Sequence, residues 1–261
     1  MPRQWFSIVD KADADVLRVD IYGDIGDVWD EDSVSAAELL DVLSSNRAAD
    51  VELHVNSGGG SVFDAFAIMT ALRNHPGTVT AYVDGLAASA ASYLIAAADK
   101  VVMSSVAWLM IHNASGLVVG NAADMRKTAE ELEQVDAAIA GIYAKRAGNG
   151  HDFAADMAEE TWYDAEQALE LGLVDEVTEA VAVAARVDWA DKHLLDHAPE
   201  QAVQALTNQV DDTGAGNDPE TIVDSSDTDP DDGAGPQEQV EPKAQERVVV
   251  LDGIARTINA I

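Results

Sequence analysis

The sequence predicts an α/β domain assembled from strand–helix crossover units. Three observations carry that expectation. Between residues 16 and 177, short alternating apolar runs are followed by segments whose apolar residues recur at helical spacing. Two of the strand-to-helix joints, at 56–61 and 85–92, are made almost wholly of glycine, alanine and serine. One segment, 121–147, keeps its apolar stripe for much longer than the others.

Val-Leu-Arg-Val-Asp-Ile at 16–21 alternates and reads as the first strand, closed at 22–26. A helix is expected over 33–43, capped by Ser33 or Ser35, with Ala37, Leu40 and Leu43 on one face. The strand at 51–55 runs into Asn-Ser-Gly-Gly-Gly-Ser at 56–61, and a helix follows over 62–72. A third strand at 79–83 leads through Gly-Leu-Ala-Ala-Ser-Ala-Ala-Ser at 85–92 into an Ala-rich helix over 93–98. Ser89 then falls in a first helical turn, where unpaired N–H groups and the positive end of the helix dipole favour developing negative charge.

Strands are expected at 100–103 and 107–111, the second ending on His112. Asn121 caps the long helix to 147, with Asp124 in its first turn. Its stripe of Met125, Leu132, Val135, Ile139, Ile142 and Tyr143 reads as core or helix–helix contact. Gly148-Asn149-Gly150 ends it; a short segment reaches Thr161-Trp162-Tyr163, and a helix over 164–171 stops at Gly172. A further helix is expected within 188–206. Residues 207–245 are rich in Asp, Gly, Pro and Thr and read as an acidic disordered linker, before apolar character returns at 246–261. The domain layout expected is therefore an α/β domain over 1–190, a terminal helix over 191–206, the linker, and a short apolar end segment.

Composition narrows the function. With no cysteine among 261 residues there is no disulfide, thiolate metal site or cysteine nucleophile, which fits a reducing cytoplasmic interior. Residues 1–7 lack the apolar run of a signal peptide, and the weakly apolar run 86–98 is too short to span a bilayer. No membrane association is expected. The net charge of −33 divides into −21 over 1–190 and −12 over 191–261, so the whole surface repels phosphate and no nucleic-acid partner is expected. A body this acidic with only six lysines suggests adaptation to high salt, as in a halophilic archaeon or its virus.

Acyl transfer needs a nucleophilic oxygen, an imidazole to take its proton, a carboxylate to orient the imidazole, and donors for the oxyanion. Ser89 at a helix start, His112 at a strand end and the glycines at 58–60 would gather on one edge of a parallel sheet. The glycine joint lacks the lysine of a P-loop and the spacing of a dinucleotide site, so phosphate binding is not expected. His54, His75 and His151 fall in a strand, a turn and a loop. His193 and His197, four apart, read as solvated surface and not as a metal site.

Four motifs in order carry a resemblance: Asn-Ser-Gly-Gly-Gly at 56–60, Asp-Gly-Leu-Ala-Ala-Ser-Ala-Ala at 84–91, Leu-Met-Ile-His-Asn at 109–113, and the Trp-Tyr-Asp-Ala-Glu-Gln-Ala…Leu-Gly-Leu-Val-Asp block at 162–175. Together they resemble the Clp-type serine peptidases, and more narrowly the Clp-related head maturation (prohead) proteases of tailed viruses. The resemblance implies a Clp/crotonase-like superhelix of β-β-α units with 121–147 as a handle helix. It also implies Ser89 as nucleophile, His112 as general base, and Gly60 or Gly59 with Ala90 as oxyanion donors. No metal or cofactor is implied. The acid falls on Glu160, where the cellular enzymes carry Asp, with Glu159, Asp156 and Asp164 as competitors; Gly58 stands where those enzymes have proline.

The resemblance further implies a homo-oligomer of stacked rings acting on protein or peptide substrates. Its partners would be capsid and scaffold precursors in an assembling prohead, or an AAA+ ATPase if the protein is a cellular Clp subunit. Readings from other classes are a crotonase-type acyl-thioester enzyme, which needs no Ser/His pair, and a non-catalytic shell subunit.

Overall fold

Alternation in the strands dictates which face each residue takes, and the core follows from it. The computed structural model describes residues 6–11, 14–26, 36–47, 49–179, 195 and 197–208, all within the unit Met1–Val210. The expected caps Ser33 and Ser35, the residues at 180–194 including His193, and everything beyond 208 lie outside the described residues.

The strands are β1 (Phe6–Lys11), β2 (Ala14–Ile25), β3 (Asp50–Gly60), β4 (Val79–Ala88), β5 (Lys100–Ser104), β6 (Trp108–Ile111), β7 (Thr161–Asp164) and β8 (Glu176–Thr178). They form one sheet in the order β1-β2-β3-β4-β5-β8. Pairing is parallel from β2 to β8, and antiparallel for β1 with β2 and for β6 with β7. The sheet forks at β4. Its first half, Thr80 to Val83, pairs with β5, and its last residues, Leu86 to Ala88, pair with β6.

Helices α1 (Ala36–Ser45), α2 (Val62–Arg73) and α3 (Ala90–Leu94) cover one face of the sheet. Leu17, Val19 and Ile21 of β2, Leu53 and Val55 of β3, and Ala81 and Val83 of β4 meet Leu39, Leu43, Ile68 and Leu72 there. Period-2 alternation turns Arg18, Asp20, His54 and Tyr82 to the opposite face. On that face Tyr22 Oη and His54 Nδ1 both bond Asp84, at 2.5 and 2.8 Å.

In α1 the buried residues are Ala36, Leu39 and Leu43, and Leu40 is exposed. The expected face through Ala37 and Leu40 is therefore displaced. Both stripes are apolar, and packing on α2 selected the one that reaches the sheet.

The long helix, α4 (Ala122–Ala147), starts at Asn121 with a capping box to Asp124 and ends at Gly148 in the left-handed region, φ 66°. The stripe read from the sequence divides along its length. Ile139 and Tyr143 are buried, whereas Met125 near its start is 50% exposed.

In the short segment after Gly150, to which the sequence assigns no element, the chain forms α5 (Phe153–Ala158) and then β7. Asp164 caps α6 (Ala165–Glu170). The last described helix, α7 (Glu200–Asn208), is shorter than the expected 191–206 and begins only after Pro199, a residue that fits a helix start and breaks an interior. Its Ala202 and Leu206 are buried against Leu86 and Ala88 of β4, Met110 of β6 and Trp162 of β7. No described helix is long and apolar enough to cross a membrane.

Candidate active site

The fork in the sheet brings Ser89 and His112 together. Ala88 and Met110 are partners in parallel register, so the residues just beyond each strand end emerge side by side. The Ser89 N–H donates to Met110 O at 2.9 Å, continuing that ladder for one more residue. The backbone then turns sharply at φ 51°, ψ −123° into α3. A side-chain-bearing residue in such a conformation costs about 1–3 kcal/mol and persists only where its surroundings hold it. The turn lets Ser89 Oγ reach His112 Nε2 at 2.8 Å.

Ser89 is thus the N-cap of a helix at Ala90–Leu94 and does not lie inside the first turn of a helix at 93–98. The small residues 85–88, which read as a turn, are the buried end of β4. Strand pairing with β6 outweighs the weak strand propensity of Gly and Ala there. Ser92 has a local function: its Oγ donates to Ser89 O at 2.6 Å and lies 2.6 Å from the buried Tyr143 Oη. The nucleophile-like turn is therefore tied to α4 through a residue that reads in sequence as core stripe.

The glycine joint is also strand and not turn. β3 continues to Gly60, with Ser57 opposite Ala87 and Gly60 opposite Ile25. At its register shift the buried side chains replace ladder bonds: Asn56 Oδ1 accepts from Leu86 N–H at 3.0 Å, and Ser57 Oγ donates to Gly23 O at 2.5 Å. Gly59, at φ 99°, has no room for a side chain: a Cβ would lie 2.7 Å from Ser89 Cβ and 2.8 Å from the Ala90 nitrogen. Gly60 is pressed instead against Ile25. The Gly59 N–H donates to Ser57 Oγ at 3.1 Å. The Ala90 N–H, first in its helix, has no intrahelical acceptor by position.

Of the four competing carboxylates, two are turned to other work and a third is exposed. Asp156 accepts from Tyr163 Oη and lies 2.5 Å from His151 Nε2. Asp164 caps α6 by accepting from Gln167 N–H at 2.8 Å. Glu159 is the exposed C-cap of α5. Glu160 is held at φ 51°, is half-buried, and its Oε1 accepts from Trp162 Nε1 at 3.4 Å. Its charge is felt at His112. Among the described residues the His112 ring makes one side-chain hydrogen bond, the one to Ser89.

A carboxylate the sequence reading passed over is Asp136 of α4, the second to act on His112. Its Oδ1 accepts from the Ala114 N–H at 2.7 Å, two residues past His112. The signal was present in the sequence: Asp136 lies three and seven residues before the buried Ile139 and Tyr143, on the inward edge of the stripe.

Burial is the largest influence on His112 and lowers its pKa below the usual histidine value; Glu160 and then Asp136 act in the opposite direction. Near neutral pH the imidazole is neutral, the state that can accept a proton from a hydroxyl. Three other histidines have local partners: Asp84 for His54, the Gly77 N–H for His75, and Asp156 for His151.

Comparison with known proteins shows the family of the chain. The pattern of the Clp protease family matches residues 5–181. The ATP-dependent Clp protease proteolytic subunit 1 of Streptomyces avermitilis is 36% identical over 157 residues, covering 58% of this chain and 72% of the relative. Subunit 2 of Corynebacterium diphtheriae is 32% identical over 147 residues, 55% of this chain and 74% of the relative. The proteolytic subunit of Bacteroides fragilis is 33% identical over 144 residues, 54% and 70%. The matched stretch holds the forked sheet, the strained serine turn and the long helix, and on that ground the chain belongs to the Clp protease family of serine peptidases.

Proposed function

We propose that the chain is a serine endopeptidase in which Ser89 is the nucleophile and His112 the general base. The observation that carries this is the 2.8 Å contact between Ser89 Oγ and His112 Nε2, at a serine held in a strained strand-to-helix turn. Ser89 Oγ attacks the peptide carbonyl carbon as its proton passes to His112 Nε2. The tetrahedral oxyanion is met by the Ala90 N–H and by the N–H of Gly60, since that of its neighbour Gly59 is engaged by Ser57. Collapse expels the amine, which takes the proton from His112 and leaves an acyl-enzyme. Water, deprotonated by the same imidazole, then releases the acid and frees Ser89. Glu160 is the acid of the triad and stabilises the imidazolium that forms in each half-reaction.

The relatives are named ATP-dependent Clp protease proteolytic subunits, and the chain is read as a subunit of that type, a ring-forming peptidase fed by an AAA+ ATPase. Leu117 and Val119 after His112, and Met125 at the start of α4, are large exposed apolar groups, as a helix-mediated contact between copies would need. A second reading, maturation of viral capsid and scaffold precursors, rests on the ordered motif set and on Gly58 and Glu160 in place of the proline and Asp of the cellular enzymes.

A fluorophosphonate probe tests the chemistry, because it phosphonylates an activated serine with loss of fluoride. Labelling should map to Ser89, and Ser89→Ala should lose both labelling and peptide cleavage; full cleavage by that variant would exclude the assignment. Sedimentation at low and molar salt should show assembly strengthening with salt, given the net charge of −33. A monomer under both conditions would exclude the ring.

A further inference from the structure

We propose that Asp136 is a positioning residue for the imidazole: by holding the Ala114 N–H it fixes the segment that carries His112. The inference rests on the assignment of His112 as general base. β6 ends at Ile111, so His112 and the residues after it have left the sheet. Two bonds take over from the ladder. Asn113 N–H donates to Met157 O of α5 at 3.1 Å, and Ala114 N–H donates to Asp136 Oδ1 of α4 at 2.7 Å. The second is to an ionised acceptor and is the shorter.

Asp136 does not sit as a solvated helix carboxylate would. It is half-buried between Val135 and Ile139, and it lines a pocket with Asn113, Glu133, Ala137, Ala154 and Met157. Among the described residues it has no basic partner, so the Ala114 N–H is what its carboxylate is placed to bind.

The charged groups whose fields act on His112 are Glu160, from the turn before β7, and Asp136, from α4. Glu133 shares the pocket from the same helix, and α5 contributes only the uncharged Ala154 and Met157. Carboxylates on two separate elements therefore act electrostatically on the imidazole, and each favours its protonated form. Asp136 thus acts on His112 both through the backbone of 112–114 and through its field.

Two substitutions separate these effects. Asp136→Ala removes acceptor and charge; Asp136→Asn keeps an acceptor oxygen and removes only the charge. Rates are taken per active site titrated with the fluorophosphonate, so misfolded protein does not count. Asp136→Ala should lower kcat about 10- to 100-fold, the scale of a small misplacement of a reacting group, with KM changed much less. Asp136→Asn should recover kcat to within about threefold of wild type. In both variants the acidic limb of kcat/KM should move to lower pH, because a negative charge near His112 has gone. A merely structural tie would leave that limb in place. The proposal is overturned by an Ala variant with wild-type kcat, by failure of Asn to restore it, or by an unmoved limb. Cleavage that survives Ser89→Ala would instead overturn the underlying assignment and this inference with it.

Discussion

His112 meets Ser89, delivered by the sheet, and feels the charges of Glu160 and Asp136, delivered by a turn and by a helix. The serine side is fixed by backbone pairing. Ala88 opposes Met110, the Ser89 N–H extends the ladder, and Gly59 closes against the turn without leaving room for a methyl group. The carboxylate side depends on side chains and on a residue at positive φ. Glu160 is steadied by a 3.4 Å bond from Trp162, and Asp136 reaches the imidazole's segment through one backbone N–H. Strand register places groups by a repeating geometry that small errors in one side chain do not disturb. A carboxylate on a turn needs its own supports, and each of those can be removed singly.

That contrast sets the order of expected effects. The serine side should break completely. His112→Ala should cost about 10⁴-fold or more in kcat/KM. Gly59→Ala should be nearly as severe, because its Cβ meets Ser89 and Ala90 within 2.8 Å at a φ that alanine rarely adopts. Both are read in steady-state peptide cleavage, with circular dichroism to confirm folding; an active Gly59→Ala would show that the close approach is not needed.

The carboxylate side should weaken and not fail. Glu160→Gln should lower kcat by about 10- to 1000-fold, less than loss of the base. Its pH profile carries a sign. Activity needs neutral His112 and falls as pH drops through that group's pKa, which burial already holds below the usual histidine value. Glu160 opposes that lowering, so Glu160→Gln should move the acidic limb of kcat/KM further down. A limb that moves up would mean that Glu160 does not face the imidazole in the working enzyme. Glu159→Gln, at the exposed C-cap, should leave rate and limb unchanged. Smaller than the Glu160→Gln loss is that of Trp162→Phe, which removes the indole N–H to Glu160 and keeps a smaller aromatic ring in the buried site. A hydrogen bond of about 1 kcal/mol corresponds to roughly a fivefold change in rate, measurable in steady-state peptide cleavage.

Much of this was legible in the chain itself. Alternation at 16–21, 51–55 and 79–83 and the Asn121 and Gly148 caps are local signals, and the strands and the long helix follow them. Glycine and serine at 56–61 and 85–92 marked the two places where backbone and ligand chemistry would meet. Local reading mistook the strand ends 56–60 and 85–88 for turns, because their pairing partners lie 30 or more residues away in the case of Ser57 with Ala87. It also missed α5, whose Phe153 and Met157 are buried only in the assembled fold.

The sequence by itself determined which residue types were available for chemistry: serines in small-residue joints, a histidine at a strand end, and a surface acidic throughout. Only the tertiary structure decided their partners. The fork of β4 between β5 and β6 sets Ser89 against His112 across 23 residues of chain, and α4 brings Asp136 to a backbone N–H 22 residues before it. The physical reason is range. Propensity, capping and periodicity act within a few residues, whereas strand register and the inward face of a long helix are settled by contacts between elements far apart in the chain.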